Sequence, residues 1–444
     1  MTKTSIHRWV LPLLAVLAVS SAASGQTTYA TPAVNDTSIA WFEYGGGEML
    51  LEGNAAFAGD LLAELATDAD REPVNLFFSP VSIHLALMMT REGADGRTLR
   101  EFDKVLDVKP KGDKAPADHV GELLAALNAA TADNPDAELT VVNTVWGQTG
   151  TDWQADFIET LNTDFASPLE SVDFAADPEA ARNTINAWIA GKTNNQIDEL
   201  LAAGTVDPLT RMVLTNAVYF KADWKTAFDA DATADATFNL SAEETVDVPT
   251  MHQTADFRYG KTPRAQLLEL PYMGDALSMI VILPKDLANL SSVRRDLGDG
   301  DFEDELEDMK VESVAVSLPK FTFSNALDLN EALEELGLED AFDASKADLS
   351  RMTDAENDLY ISAVVHEAFV DVSETGTEAA AATAVGIGVT SMPPEPTAFT
   401  VDRPFLFIIR HNETGVVLFI GQVVNPLGDT DAADRTRTGT VAHP

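Results

Sequence analysis

The sequence has 444 residues, 45% of them hydrophobic and 23% charged, so it has the composition of a folded protein and enough chain for a deep core. Its 72 acidic and 29 basic residues give a formal net charge of −43, and no cluster of lysines and arginines interrupts the acidic excess. This charge argues against nucleic acids, anionic membranes and heparin as partners, and its even spread favours a halophilic surface, adapted to high salt.

The chain begins with a short basic segment, an apolar run from Val10 to Val19, and small residues after it. This order predicts a secretory signal peptide over residues 1–25, with cleavage after Ala23 or Gly25. The apolar run has about half of the ~20 residues that a membrane-spanning helix needs. The sequence contains no cysteine, so disulfides do not contribute to its stability. We therefore expect a secreted protein, periplasmic or extracellular, that is held together by packing.

After a polar segment at residues 26–36, predicted to be flexible, the first half of the chain is mostly helical in pattern. The stretches AAFAGDLLAELA, PVSIHLALMMTREG and HVGELLAALNAA space apolar residues three or four apart. The second half is rich in strand patterns, such as LSMIVILP, VESVAVSLPKFTF and the hairpin around HNETG. Helices first and strands later predict an α+β fold. Residues 428–444 have almost no apolar content and are predicted to be a disordered tail.

No motif for metal, cofactor or nucleotide chemistry is present in the sequence. There is no HExxH zinc motif, P-loop, dinucleotide fingerprint or nucleophile elbow. His366 is followed by Glu367, but no second ligand follows at the spacing that a zinc site requires. The motifs therefore support no cofactor and no metal, and they leave an enzyme open without supporting one.

Residues 374–396, ETGTEAAAATAVGIGVTSMPPEP, separate two strand-like runs with small side chains. By local propensity alone, Thr377 could cap a helix that ends at Gly386. With a period of two, however, the odd positions from Thr377 to Val389 become steadily more apolar, while the even positions stay small or polar. This pattern is typical of a strand that enters a sheet between existing strands. It predicts an exposed loop in one state and a central strand in another, ending before the three prolines.

The segment ETGTEAAAATAV resembles the hinge of the serpins, a family of serine protease inhibitors. Further segments resemble the family in its own order, among them NLFFSPVSI, INAWIAGKTNNQI, LTNAVYFKADWKTAF and DRPFLFIIRHNETGVVLFIGQVVNP. The resemblance covers residues 37–427. It implies a large central β-sheet, two smaller sheets and about nine helices, with a metastable native state and an exposed reactive loop at 374–396.

The resemblance also implies a mechanism and a partner. A target serine protease cleaves the loop and forms an acyl-enzyme, and the freed loop then inserts into the central sheet and traps the protease in a covalent 1:1 complex. The chain is expected to be a monomer, and it lacks the basic helix that binds heparin in some members. The hinge keeps small, uncharged residues on the inserting face, as inhibitory members do. The hinge positions carried over are Glu374, Gly376, Thr377, Glu378, Ala379, Ala380, Ala381, Ala382 and Thr383.

Counting along the loop by the family's commonest length places the reactive bond between Thr390 and Ser391. The subsite residues around this bond are Ile387, Gly388, Val389 and Met392. Small apolar residues before the bond favour an elastase- or subtilisin-like protease. Cleavage after Val389 or Met392 stays open, and Met392 would suit a chymotrypsin-like or cathepsin G-like enzyme.

Five other positions match polar or aromatic residues of the central sheet in serpins. Ser79, Ser82, Asn216 and His366 match the shutter, where strands part to admit the loop, and Trp224 matches the breach, where insertion begins. We expect Asn216 and His366 to hydrogen-bond across strands. Two alternative functions stay open: inhibition of papain-like cysteine proteases, and a non-inhibitory binding protein or chaperone.

Overall fold

The computed structural model describes residues 46–66, 74–108, 117–130, 137–298, 306, 308–353, 359–377 and 395–428. The predicted signal peptide, the segment 26–36 and the tail beyond residue 428 lie outside the described residues. The same holds for Glu378–Thr383 of the hinge, for the reactive bond at Thr390–Ser391 and for its four subsite residues.

Eight α-helices lie among the described residues. They are α1 Gly46–Leu65, α2 Pro80–Glu92, α3 Gly96–Val105, α4 Ala117–Ala130, α5 Ala155–Thr163, α6 Pro178–Lys192, α7 Leu290–Gly298 and α8 Asn330–Glu335. The start of α2 follows from its sequence, since Ser79 caps it by accepting a hydrogen bond from the Ser82 amide and Pro80 occupies its first turn. In the described part of the chain, no helix is both long and apolar enough to cross a membrane.

Fifteen strands within the described ranges form two sheets. They are β1 Leu76–Phe78, β2 Glu138–Gln148, β3 Leu169–Val172, β4 Met212–Asp223, β5 Ala234–Asn239, β6 Thr245–Lys261, β7 Ala265–Pro271, β8 Leu277–Pro284, β9 Lys310–Pro319, β10 Phe321–Asp328, β11 Ala363–Val372, β12 Gly376–Thr377, β13 Thr397–Thr400, β14 Phe405–His411 and β15 Val417–Val423. One sheet has six strands in the order β10-β11-β12-β4-β2-β3. The other has nine strands, in the order β1-β15-β14-β8-β7-β6-β9-β13, with β5 beside β6.

The long strand β6 joins two parts of the nine-stranded sheet. Its last residues, Arg258–Lys261, pair with β7, whereas Thr250–Tyr259 pair with β9 and its first residues pair with β5. The two smaller sheets implied by the resemblance are therefore continuous with one another through β6.

The six-stranded sheet packs against the main core on one face and is covered in part on the other. On one face, helix α2 packs against β2, β4 and β15, and so lies between the two sheets within the main core. On the other face, α6 covers a smaller apolar cluster that includes Trp146, Ile185, Ile189 and Val213. Towards β12 this second face is only half-buried, at Lys221, Asp223 and Asp371. A strand added there presents one side to the main core and the other to a partly open surface.

Candidate functional site between strands β4 and β11

Strands β4 and β11 pair directly over only part of their length. Ala363–Ala368 of β11 pair in parallel with Val213–Val218 of β4. Beyond this ladder the two strands separate, and β12 occupies the gap between them. Gly376 and Thr377 pair with Asp223 and Ala222 of β4, and Thr377 also pairs with Val372 of β11. Two residues of the predicted hinge therefore already lie in the sheet, and the β4–β11 ladder lies directly ahead of them.

Gly376 fits this gap because it has no side chain. A Cβ at this position would lie 2.2 Å from the Ala222 carbonyl oxygen and 2.6 Å from the Asp223 Cα. The turn before it is closed by the Ser373 amide, which donates to the Gly376 carbonyl at 2.9 Å. The two backbones approach so closely here that only glycine fits at this position.

Thr377 is buried, with 1% of its surface exposed, and its Oγ1 lies 2.9 Å from the hydroxyl of Tyr272. Tyr272 stacks on Trp224 with 4.6 Å between ring centroids. Trp224 also holds the hinge backbone, because its indole N–H donates to the Ser373 carbonyl at 3.0 Å and its amide to the Thr375 carbonyl at 2.8 Å. The predicted breach residue thus contacts the predicted hinge at two points.

Glu374 is anchored at the start of the hinge. Lys320 donates to its Oε2 at 2.7 Å, Thr233 donates to its Oε1 at 2.8 Å, and the Phe228 amide donates to its carbonyl at 2.8 Å. Burial acts to raise the pKa of Glu374, but the hydrogen bonds, above all that from Lys320, outweigh it and hold the pKa below its usual value. The carboxylate is therefore ionised at neutral pH. It links the hinge to Thr233, just before β5, and to Lys320, just before β10.

His366 lies in the β4–β11 ladder, paired with Asn216. Its Nε2 accepts a hydrogen bond of 3.0 Å from the Ser79 amide, so Nδ1 carries the proton and donates to Asn216 Oδ1. Burial lowers the pKa of His366 to about 3, although the hydrogen bond with Asn216 acts in the opposite direction. The imidazole is therefore neutral and has a structural position rather than a catalytic one.

A polar network extends from Asn216 towards β2 and α2. Its amide nitrogen donates to Ser82 Oγ and to Asn143 Oδ1, and Ser82 Oγ donates to Asn143 Oδ1 at 3.0 Å. The structure thus brings together all four predicted shutter residues. It adds Asn143, which the sequence reasoning missed, although an asparagine inside the apolar strand pattern LTVVNTVWG was a usable signal. Separating β4 from β11 requires breaking the His366–Asn216 bond.

The segment predicted to be the reactive loop joins the two sheets in the chain. It begins after Thr377 in the six-stranded sheet and ends before β13 in the nine-stranded sheet, where Thr397 pairs in parallel with Val314 of β9. The proposed reactive bond lies between these two anchor points, outside the described residues.

A family model described as Serpin (serine protease inhibitor) matches residues 52–426. The chain belongs to the serpin family. This confirms the predicted α+β serpin fold, and it makes the protein a protease inhibitor and not an enzyme, as predicted. The hinge, shutter and breach geometry described above accordingly lies within a serpin domain.

Individual relatives agree with the family match. Human leukocyte elastase inhibitor is 38% identical over 388 residues, which cover 85% of this chain and all of the relative. A serpin-like protein of Thermococcus kodakarensis is 39% identical over 373 residues, 84% of each chain. Among solved structures, the native state of the thermophilic serpin tengpin matches with a TM-score of 0.75 and 30% identity, over 84% of this serpin and 94% of that chain.

Proposed function

We propose that this serpin is a secreted suicide inhibitor of serine endopeptidases that acts by loop insertion between β4 and β11. The observation that carries the proposal is the position of Gly376 and Thr377, which already pair with β4 and β11 at one end of the gap. Cleavage would free the following residues to continue in the same direction. They would replace one parallel ladder by two antiparallel ones, which adds backbone hydrogen bonds to the sheet.

The side chains that follow Thr377 suit such an insertion. Every second residue from Ala379 to Thr383 is small, and the main core under the face that Thr377 shares leaves little space for larger ones. Glu378 alternates with these positions, so its charge belongs on the other face. A bulky or charged residue at Thr377 would be forced into the buried pocket beside Tyr272, where an unpaired charge costs several kcal/mol (on the order of 3–5).

The proposed target is an elastase- or subtilisin-like protease that cleaves between Thr390 and Ser391. Val389 and Thr390 before the bond suit a small apolar specificity pocket, and residues 374–396 contain no lysine or arginine for a trypsin-like enzyme. The similarity to a protein named leukocyte elastase inhibitor supports this class of target. The proposed complex is covalent, with one serpin monomer for each protease molecule.

Secretion is part of the proposal and rests on the N-terminal sequence. N-terminal sequencing of the protein recovered from its producing cells should give a first residue just after Ala23 or Gly25. A mature protein that retains residues 1–25 would contradict it.

The inhibitory mechanism is tested by mixing the protein with pancreatic elastase and with a subtilisin and analysing the products by denaturing electrophoresis. We expect a covalent band near the summed masses and a released fragment that begins at Ser391. Cleavage without a complex, with no gain in the thermal stability of the cleaved form, would exclude loop insertion.

A substitution separates insertion from simple cleavage. Thr377→Arg should convert the inhibitor into a substrate that is cleaved at the wild-type rate but forms at least about tenfold less complex, because the buried position beside Tyr272, from which the new strand extends, cannot hold an arginine. Thr400→Arg is the matched control, since Thr400 is exposed on β13. Equal complex formation by both variants would refute the mechanism.

A further inference from the structure

Tyr272 has its hydroxyl group fixed in place by aromatic packing on two sides. The residue directly follows β7, and 1% of its surface is exposed. Its ring stacks on Trp224 at an interplanar angle of 11° and meets the Phe220 ring edge-on, at 82° with 5.2 Å between centroids. A backbone bridge to Trp224 holds the main chain as well. The phenol therefore has little freedom to move away from its hydrogen-bond partner, Thr377.

Thr377 is the first residue whose side chain enters the buried side of the gap. Its Oγ1 lies 2.9 Å from the Tyr272 hydroxyl, and both side chains are buried. Side chains alternate between the two faces of a strand, so the residue at this point decides which face every later residue takes. A slip of one residue would place the carboxylate of Glu378 against the aromatic rings.

We propose that Tyr272 is a positioning residue that sets the register of loop insertion by binding Thr377 before cleavage. This inference rests on the proposed inhibitory function. Thr377 is already paired with Ala222 and Val372 before cleavage. The register of the new strand is therefore fixed before the strand extends. Insertion competes with hydrolysis of the acyl-enzyme, so a preset start favours complex over cleaved inhibitor.

The variant Tyr272→Phe tests this role because it removes the hydroxyl and keeps the aromatic stack. A buried hydrogen bond contributes about 0.5–1.5 kcal/mol, which corresponds to about a 2- to 12-fold change in a rate. We expect the ratio of cleaved to complexed inhibitor with pancreatic elastase to rise by this factor. The rate of the first loop cleavage should not change, because the substitution leaves every residue of the loop unaltered.

A merely structural role predicts a different result. Weakening the native state alone would speed the change to the inserted state, so the ratio of cleaved to complexed inhibitor would stay the same or fall. Tyr259→Phe is the matched control: Tyr259 is also buried, and its hydroxyl donates to Gln266 at 2.8 Å in the nine-stranded sheet. If Tyr272→Phe behaves like Tyr259→Phe in this ratio, the positioning role is wrong.

A double variant identifies the bond itself. Tyr272→Phe combined with Thr377→Val should raise the ratio no further than the larger of the two single changes, because both remove the same interaction. Independent, multiplicative effects would contradict the proposal, since they would mean that the two side chains act separately.

Trp224 fluorescence distinguishes failure of this inference from failure of the inhibitory function. Trp224 contacts both Tyr272 and the hinge backbone, so its emission should change as the loop enters after cleavage. If the wild type inserts after cleavage but forms no complex, a several-fold slower fluorescence change in Tyr272→Phe still supports the positioning role, and an equal rate overturns it. If the cleaved wild type shows neither insertion nor added thermal stability, both proposals fail together.

Discussion

Asn143 joins three elements beneath the β4–β11 ladder through a single side chain. It lies on β2 and its Oδ1 accepts hydrogen bonds from Ser82 of α2 and from Asn216 of β4. We predict that Asn143→Ala lowers the free energy of unfolding by about 1–3 kcal/mol, because it leaves buried donors without an acceptor. The midpoint of guanidinium-induced unfolding at an unchanged slope measures the loss.

Asn162→Ala is the matched control for Asn143→Ala, since it makes the same substitution outside the buried network. Asn162 is exposed on α5 and donates only to the Ile158 carbonyl within its own helix. It should change the midpoint little, within about 0.5 kcal/mol. Equal losses in the two variants would mean that the network under the ladder adds nothing to stability.

Single residues also show how much of the site the sequence could predict. Ser79, Ser82, Asn216 and His366 were found through the family resemblance and meet in one network. Tyr272, in contrast, looks like an ordinary core aromatic in the run QLLELPY, and its contact with Thr377 joins positions far apart in the chain. Long-range pairs of this kind depend on the fold and are not visible in local patterns.

At the scale of elements, periodicity predicted buried strands and helices well and their boundaries less well. The run VESVAVSLPKFTF predicts one strand, yet the chain changes sheets at Lys320: β9 belongs to the nine-stranded sheet and β10 to the six-stranded one. The Lys320 amide donates to the Pro249 carbonyl, and its ammonium group pairs with Glu374. Helix α3 was missed because its sequence, GRTLREFDKV, has only three apolar residues among many charged ones.

Strand β11 carries two titratable neighbours, one buried and one half-buried, whose effects on stability have opposite signs. Strand alternation places His366 in the polar network and Glu367 on the other face, between Ala217 and Ala326. Burial first, and repulsion from Asp198 second, raise the pKa of Glu367 to about 7. Burial lowers the pKa of His366 to about 3, and that of His84 in α2 to about 4.

These shifts predict how stability depends on pH. Between pH 7 and about 4.5, native Glu367 binds a proton that the unfolded chain does not, so its contribution to stability increases as pH falls. Below about pH 6.5 His84 and His366 bind protons in the unfolded chain but not in the native protein, so their contribution to stability decreases as pH falls. Between about pH 6.5 and 4.5, the stability gained from Glu367 as pH falls therefore offsets the stability lost from one of the two histidines.

We predict that Glu367→Gln stabilises the protein at pH 8 by about 1–3 kcal/mol, because it removes a half-buried carboxylate whose charged form is disfavoured in the native protein. It should also make the loss of stability between pH 6.5 and 4.5 steeper, by up to about 1.4 kcal/mol for each pH unit. Guanidinium unfolding at several pH values measures both effects. Glu243→Gln, in an exposed turn before β6, makes the same charge change and should leave the profile unaltered. A wild-type profile for Glu367→Gln would show that this carboxylate is ionised normally.

For the whole molecule, the charge of −43 is the property that the fold itself does not explain. Like charges spread over a compact surface repel one another, and salt screens them, since the Debye length falls from about 30 Å at 0.01 M to about 3 Å at 1 M. We predict that the thermal midpoint at pH 8 rises between these two NaCl concentrations, by about 2–4 °C or less for each kcal/mol of repulsion relieved.

The same titration near pH 4.2 separates charge repulsion from a general effect of salt on burial. The sequence pI is about 4.2, so the net repulsion vanishes there and the rise in midpoint between 0.01 M and 1 M NaCl should shrink towards zero. An equal rise at both pH values would assign the effect to strengthened burial of apolar surface, which salt also promotes. In that case the acidic residues would have no measurable electrostatic effect on the stability of the folded serpin. The hypothesis of a surface adapted to high salt would then lose its physical basis.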